Sequence, residues 1–191
     1  MRFPRTAVAG FLAIAALGSS ALAHAAPYAE GHWGAVFEGA AEYGGDDVIK
    51  VYYRHGDSQT IHAGQGVTIG VGVHYQPSSA PFDITATVGW KFVRTADYNT
   101  DLGIDRYVFK LTGTYLLANN FWLAAGPVWH TGTKLRGDGY VPDINFDDAV
   151  GGTVGFGWRW IGVSYTNIRY TSPETGGLDG SSGGITFAWK F

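Results

Sequence analysis

Gly183-Gly184-Ile185-Thr186-Phe187-Ala188-Trp189-Lys190-Phe191 is the stretch whose reading decides the fold. As a strand it places Ile185, Phe187, Trp189 and Phe191 on one face and Gly184, Thr186, Ala188 and Lys190 on the other. That is a strict two-residue period with a large aromatic face. Left as an open edge in water, such a strand invites aggregation. It is either paired inside a soluble sandwich or it closes a barrel in lipid. The remainder of the chain discriminates between the two.

The chain opens with a different signal. Arg2 and Arg5 precede an apolar run from Ala7 to Leu22, and Ala23-His24-Ala25 has the small-x-small form of a cleavage site. Residues 1–25 are therefore expected to be a cleaved secretory signal peptide, leaving residues 26–191 as one domain. With Arg2 and Arg5 gone, 11 basic residues face 16 acidic ones, a net charge of about −5 that argues against nucleic acid as a partner. The chain has no cysteine, which excludes a disulfide scaffold and thiolate metal ligation. Charged residues make up only 15% and aromatic residues another 15%, too greasy for an ordinary soluble surface.

Alternation recurs seven times before the final stretch. It is read over 33–43, 67–75, 82–92, 107–117, 121–130, 149–158 and from 161 to about 170. With the terminal strand that predicts eight strands of roughly ten residues, the length of a tilted membrane-crossing strand. The connections at 76–81, 118–120 and 159–160 are short; those at 44–66, 93–106, 131–148 and 171–183 are long and hold most of the Asp, Asn and Gly. Outward aromatics gather at the short-turn end (Trp33, Tyr75, Phe82, Tyr115, Phe121, Trp158, Trp189, Phe191), and Trp90, Tyr107, Phe109 and Trp129 gather near the other. Aliphatic residues fill the band between, as in two interfacial girdles around a lipid belt. A soluble sandwich would instead expose a surface of Gly and Thr, with its aromatics at strand middles.

On these marks the chain resembles the small OmpA/OmpX-like eight-stranded barrels of the Gram-negative outer membrane, over nearly all of residues 32–191. The resemblance implies an all-β fold: one eight-stranded antiparallel transmembrane β-barrel with short periplasmic turns and longer extracellular loops. It implies residence in the bacterial outer membrane, contact with outer-membrane lipid and lipopolysaccharide, and assembly by the barrel-assembly machinery. Ile185, Phe187, Trp189 and Phe191 would form the assembly signal that this machinery reads. Fold of this kind specifies no activity.

Candidate chemistry lies in four places. The lumen should carry Glu38, Glu42, His74, Asp83, Lys91, Lys110 and Lys190, paired with one another because an unpaired buried charge is costly. Inward glycines at 70, 72, 89, 126, 151, 155, 157, 162 and 184 would leave volume for a narrow hydrated path. Acyl chemistry would need a nucleophile beside a base. The nearest signals are His130-Thr131-Gly132-Thr133, Ser164, and the loop group His55, Asp57 and Ser58, none with the His-x-Ser spacing of lipid-A deacylases. For metal, the histidines are scattered and the acids Asp46, Asp47, Asp138, Asp143, Asp147, Asp148 and Asp179 sit in or beside loops without ligand spacing. Residues 46–61 read as a hairpin beyond the wall, which either caps the barrel or offers an edge to an extracellular protein. The expectation is a non-enzymatic envelope or surface-contact protein with no cofactor and no metal. A narrow solute channel is the alternative, and a lipid-A-modifying enzyme a weaker one.

Overall fold

The computed structural model describes residues 31–52, 58–78, 80–94, 102–137, 142–174 and 176–191, the side chains of 51 and 52 excepted. The signal-peptide reading falls on residues outside these.

Wherever Val, Ile, Phe, Trp and Tyr alternate with Gly, Thr and charged residues, the chain is extended. The strands are β1 (His32–Tyr43), β2 (Asp47–Tyr52), β3 (Ser58–His62), β4 (Gly66–Gln76), β5 (Phe82–Arg94), β6 (Gly103–Leu116), β7 (Phe121–Arg136), β8 (Ile144–Asn145), β9 (Ala149–Trp158), β10 (Ile161–Ser172), β11 (Gly176–Asp179) and β12 (Ser182–Lys190). Eight form the wall, in the antiparallel cycle β1-β4-β5-β6-β7-β9-β10-β12, and β12 returns to β1 with Gly39 opposite Phe187. The barrel is closed and no wall edge is left open. Among the described residues the only helical piece is a 3-10 turn at Ala118–Asn120.

The eight predicted strands are the eight wall strands. The three turns at one end are short, and Asn119, Asn120 and Arg159 take left-handed backbone there to reverse direction tightly. The expected loop hairpin is β2 and β3, a two-stranded sheet separate from the wall. Three wall strands are longer than read: β5 runs to Arg94, β6 begins at Gly103 and β7 runs to Arg136. A β-bulge interrupts the pairing of β6 with β7. Asp105 pairs with Lys134 but Tyr107 pairs with Thr131, so Gly132 and Thr133 together oppose Arg106. Gly132 sits at φ +61, the conformation such a bulge requires and glycine supplies. Beyond the bulge the inward parity switches, and Thr133 and Leu135 are buried.

The outer surface is apolar. Val71, Val73, Val150, Val154, Val163 and Ile185 are each at least half exposed. Phe187 and Trp189 are only half-buried, because they pack on the wall itself. Phe187 lies over Gly39, and Trp189 stacks on Trp160 at 5.3 Å. An aromatic ring over a strand glycine restores the contact that a missing side chain would otherwise lose.

Candidate functional site

The seven residues expected in the lumen all point inward. Glu38 and Glu42 stand four apart on β1 and so share its inner face. Three groups follow along the barrel. Near the short-turn end, Lys190 Nζ lies 2.6 Å from Asp83 Oδ1. His74 Nδ1 lies 2.8 Å from Asp83 Oδ2, and the Thr85 hydroxyl donates to Asp83 at 2.7 Å. At mid-height Lys110 lies 3.0 Å from Glu38, which also accepts from the Thr87 hydroxyl at 3.0 Å. Higher, Lys91 lies 2.8 Å from Glu42, with the Thr166 and Ser182 hydroxyls donating to the same carboxylate at 3.4 and 3.3 Å. Lys91 is 1% exposed, and its stem runs against Gly66. Pairing with additional hydroxyl donors is what lets buried charges persist.

A fourth layer was not anticipated. Arg106 is among the most deeply buried side chains. Its guanidinium donates to the Ala63 carbonyl at 2.6 Å, the Gln65 carbonyl at 2.7 Å and the Tyr170 hydroxyl at 3.0 Å. The same hydroxyl is hydrogen-bonded to His130 Nδ1. Among the described residues, no carboxylate lies within salt-bridge distance of Arg106. Ala63 and Gln65 belong to the segment that returns from β3 to β4, so Arg106 holds the hairpin onto the barrel from inside. Around this layer packs an apolar cluster that includes Ile61, Leu102, Ile104, Val108, Leu135, Phe146, Ile168 and Tyr170, with Val48, Ile49, Ile144 and Leu178 against it. Ile61 is 0% exposed. The inner face of the hairpin thus caps the long-loop end of the barrel. The sequence signal was present, since Arg106 has the same parity as Val108 and Lys110, but a charged residue beside Asp105 reads as loop.

Below this cap lies a cavity of about 110 Å³, bordered by Glu38, Glu42, Lys110, Trp122, His130 and Lys190 among others. It is smaller than the inward glycines suggested. The Trp122 indole lies across Gly155, Gly157 and Gly162 and fills the space they leave. Its Nε1–H donates to the Arg159 carbonyl at 2.9 Å, which fixes the ring.

Of the acyl-chemistry signals, His130 is engaged by Tyr170, Ser164 borders the cavity, and His55 and Asp57 lie outside the described residues. No group of three His, Asp or Glu able to hold a metal gathers among the described residues. The loop acids brace the loops. Asp148 accepts from Thr131 at 2.6 Å and Asp147 from Thr171 at 3.0 Å. Asp143 accepts from the Gly137 amide at 2.9 Å and lies 2.8 Å from Lys134, and these partners hold its carboxyl below the ordinary value. Asp179 is held low likewise, by Ser181. At the hairpin base His62 bridges Asp47 at 2.9 Å and the Tyr43 hydroxyl at 2.6 Å.

The chain matches no protein-family model, and no curated protein matches it.

Proposed function

We propose that the protein is a closed, non-conducting outer-membrane barrel of the OmpA/OmpX-like kind, non-enzymatic, with an envelope-structural role and surface contacts made through its loops. One observation carries the reading: an exposed aliphatic belt surrounds an interior whose lysines are each paired with an acid and which is capped at the long-loop end. A contiguous apolar belt of this extent on a soluble monomer would be an aggregation liability. In a bilayer it is the ordinary exterior of a barrel whose strands alternate apolar-out and polar-in. Closure of the wall satisfies every strand's backbone, which lipid demands.

In this reading the short turns face the periplasm and the loops face outward. Residues 183–191 serve as assembly signal and closing strand. The outer face of the β2–β3 hairpin, within residues 46–61, is the surface offered to lipopolysaccharide or to another protein. The cap speaks against the channel alternative, since Arg106 and the apolar cluster fill the mouth through which solute would leave. Single-channel recording of the full barrel in a planar bilayer tests this. Electrical silence is expected, and a steady stepwise current would overturn it.

A further inference from the structure

We propose that the cavity beneath the cap is a binding site for a small organic monoanion, a carboxylate carrying a short apolar tail.

Charge is the first ground. Along the lumen Lys91, Lys110, Arg106 and Lys190 supply four cations, and Glu38, Glu42 and Asp83 supply three carboxylates. Every lysine has its acid, whereas Arg106 is held by two carbonyls and a hydroxyl. The interior described thus carries one positive charge in excess. Uncompensated charge in a low-dielectric interior is expensive. Arg106 is linked to the cavity through Tyr170 and His130, which borders it, and an anion there offsets the excess.

The second ground is the lining. The lining mixes apolar groups (Val36, Ala40, Trp122, Ala188) with Lys110, Lys190 and Thr114, and its two carboxylates, Glu38 and Glu42, are each already bridged to a lysine. The indole is locked by the Arg159 carbonyl and backed by glycine, so it offers the cavity a fixed apolar wall. Lys110 has three ammonium donors, and Glu38 at 3.0 Å engages one of them. A carboxylate with a few carbons matches both kinds of group, whereas chloride matches only the charge. Size agrees: an apolar cavity of ~150 Å³ accepts benzene, so about 110 Å³ suits a slightly smaller molecule.

Access is the third. The long-loop end is capped, while the lining extends to Arg159 and to Lys190, whose side chain is 23% exposed, at the short-turn end. The ligand therefore enters and leaves by the same end and is held, not passed through. The direction of access rests on the closed-barrel reading; binding itself does not, so silence in a bilayer and binding in detergent succeed or fail separately.

The test uses the full barrel folded in detergent, with ¹⁵N-labelled tryptophan, titrated with butyrate, butyramide and chloride. Butyrate should shift the Trp122 indole N–H resonance saturably, and butyramide should need about tenfold more or worse, because a charge-assisted contact is lost. Lys110→Met should weaken butyrate about ten- to hundredfold. Should that variant misfold on an unpaired Glu38, the double variant Glu38→Gln/Lys110→Met removes both charges and should show the same weakening. The proposal is overturned by any of four results: no saturable shift with butyrate, an equal response to butyramide, a response to chloride alone, or butyrate affinity unchanged in whichever of these variants folds.

Discussion

Replacing Arg106 with Met removes a guanidinium while keeping most of the stem. The Ala63 and Gln65 carbonyls, now accepting at 2.6 and 2.7 Å, would lose their donor. A buried acceptor left without its partner costs about 1–3 kcal/mol, so the segment loses about 2–6 kcal/mol of local stability. At about 1.4 kcal/mol per factor of ten, opening of this segment becomes roughly thirty- to twenty-thousandfold more frequent. The wall should respond far less, because the substitution also removes a buried charge that lacks an acid. Hydrogen exchange reads the difference directly. The amides of Ala63, Gly64 and Gln65 are bonded to the carbonyls of Asp46, Gly44 and His62 at 2.9, 3.0 and 3.2 Å, so they are protected while the hairpin is seated. In the variant these amides should exchange at least tenfold faster, while those of β4 and β5 keep their rates. Unchanged protection at 63–65, or equal loss throughout the wall, would refute the role of Arg106 as the hairpin's latch.

Lys91→Met should cost about 3–5 kcal/mol by leaving Glu42 buried without its cation, whereas Lys91→Met/Glu42→Gln should recover much of that loss; urea unfolding in lipid vesicles measures both. Phe187→Ala uncovers Gly39 and should cost about 1–3 kcal/mol by the same measurement, with Phe187→Leu losing less. The Asp143 carboxyl is held low first by the Gly137 amide and then by Lys134, so the support it gives its loop is complete above the ordinary value of 3.8 and is lost as pH falls through the lower folded one. An NMR titration should therefore show the Gly137 amide moving only in acid, with β7 unmoved below Lys134, and Asp143→Asn should abolish the titration.

The wall was legible because each strand carries an apolar outer face and a polar inner one, and a two-residue period is the direct imprint of that. The inward positions of Glu38, Glu42, His74, Asp83, Lys91, Lys110 and Lys190 follow from parity alone. Their pairing does not. Lys190 meets Asp83 across 107 residues, and Lys91 meets Glu42 across 49, separations fixed only by closure and register. Legibility ended where the strands pass beyond the apolar belt. There both faces turn polar, as with Arg94, Asp105, Lys134 and Arg136, and composition alone reads as loop. The Gly132 bulge then switches parity, so a search for strict alternation halts at His130 and hides Leu135 from the cap.

The closing strand carries a constraint on each face at once. Outside, Phe187 must cover Gly39; inside, Lys190 must reach Asp83. Slipping β12 by one residue against β1 exchanges the faces, which would drive Lys190 into the apolar belt and Trp189 into the lumen. A slip of two residues keeps the faces but displaces Lys190 by about 7 Å, leaving Asp83, 2% exposed, with only His74 and Thr85. It also moves the Phe187 ring off its glycine and onto the next outward neighbour, Phe37 or Ala41. The apolar face alone would tolerate such a slip, because Ile185, Phe187, Trp189 and Phe191 are interchangeable in greasiness. One lysine and one glycine, on opposite faces of the seam, remove that degeneracy and set the register in which the barrel closes.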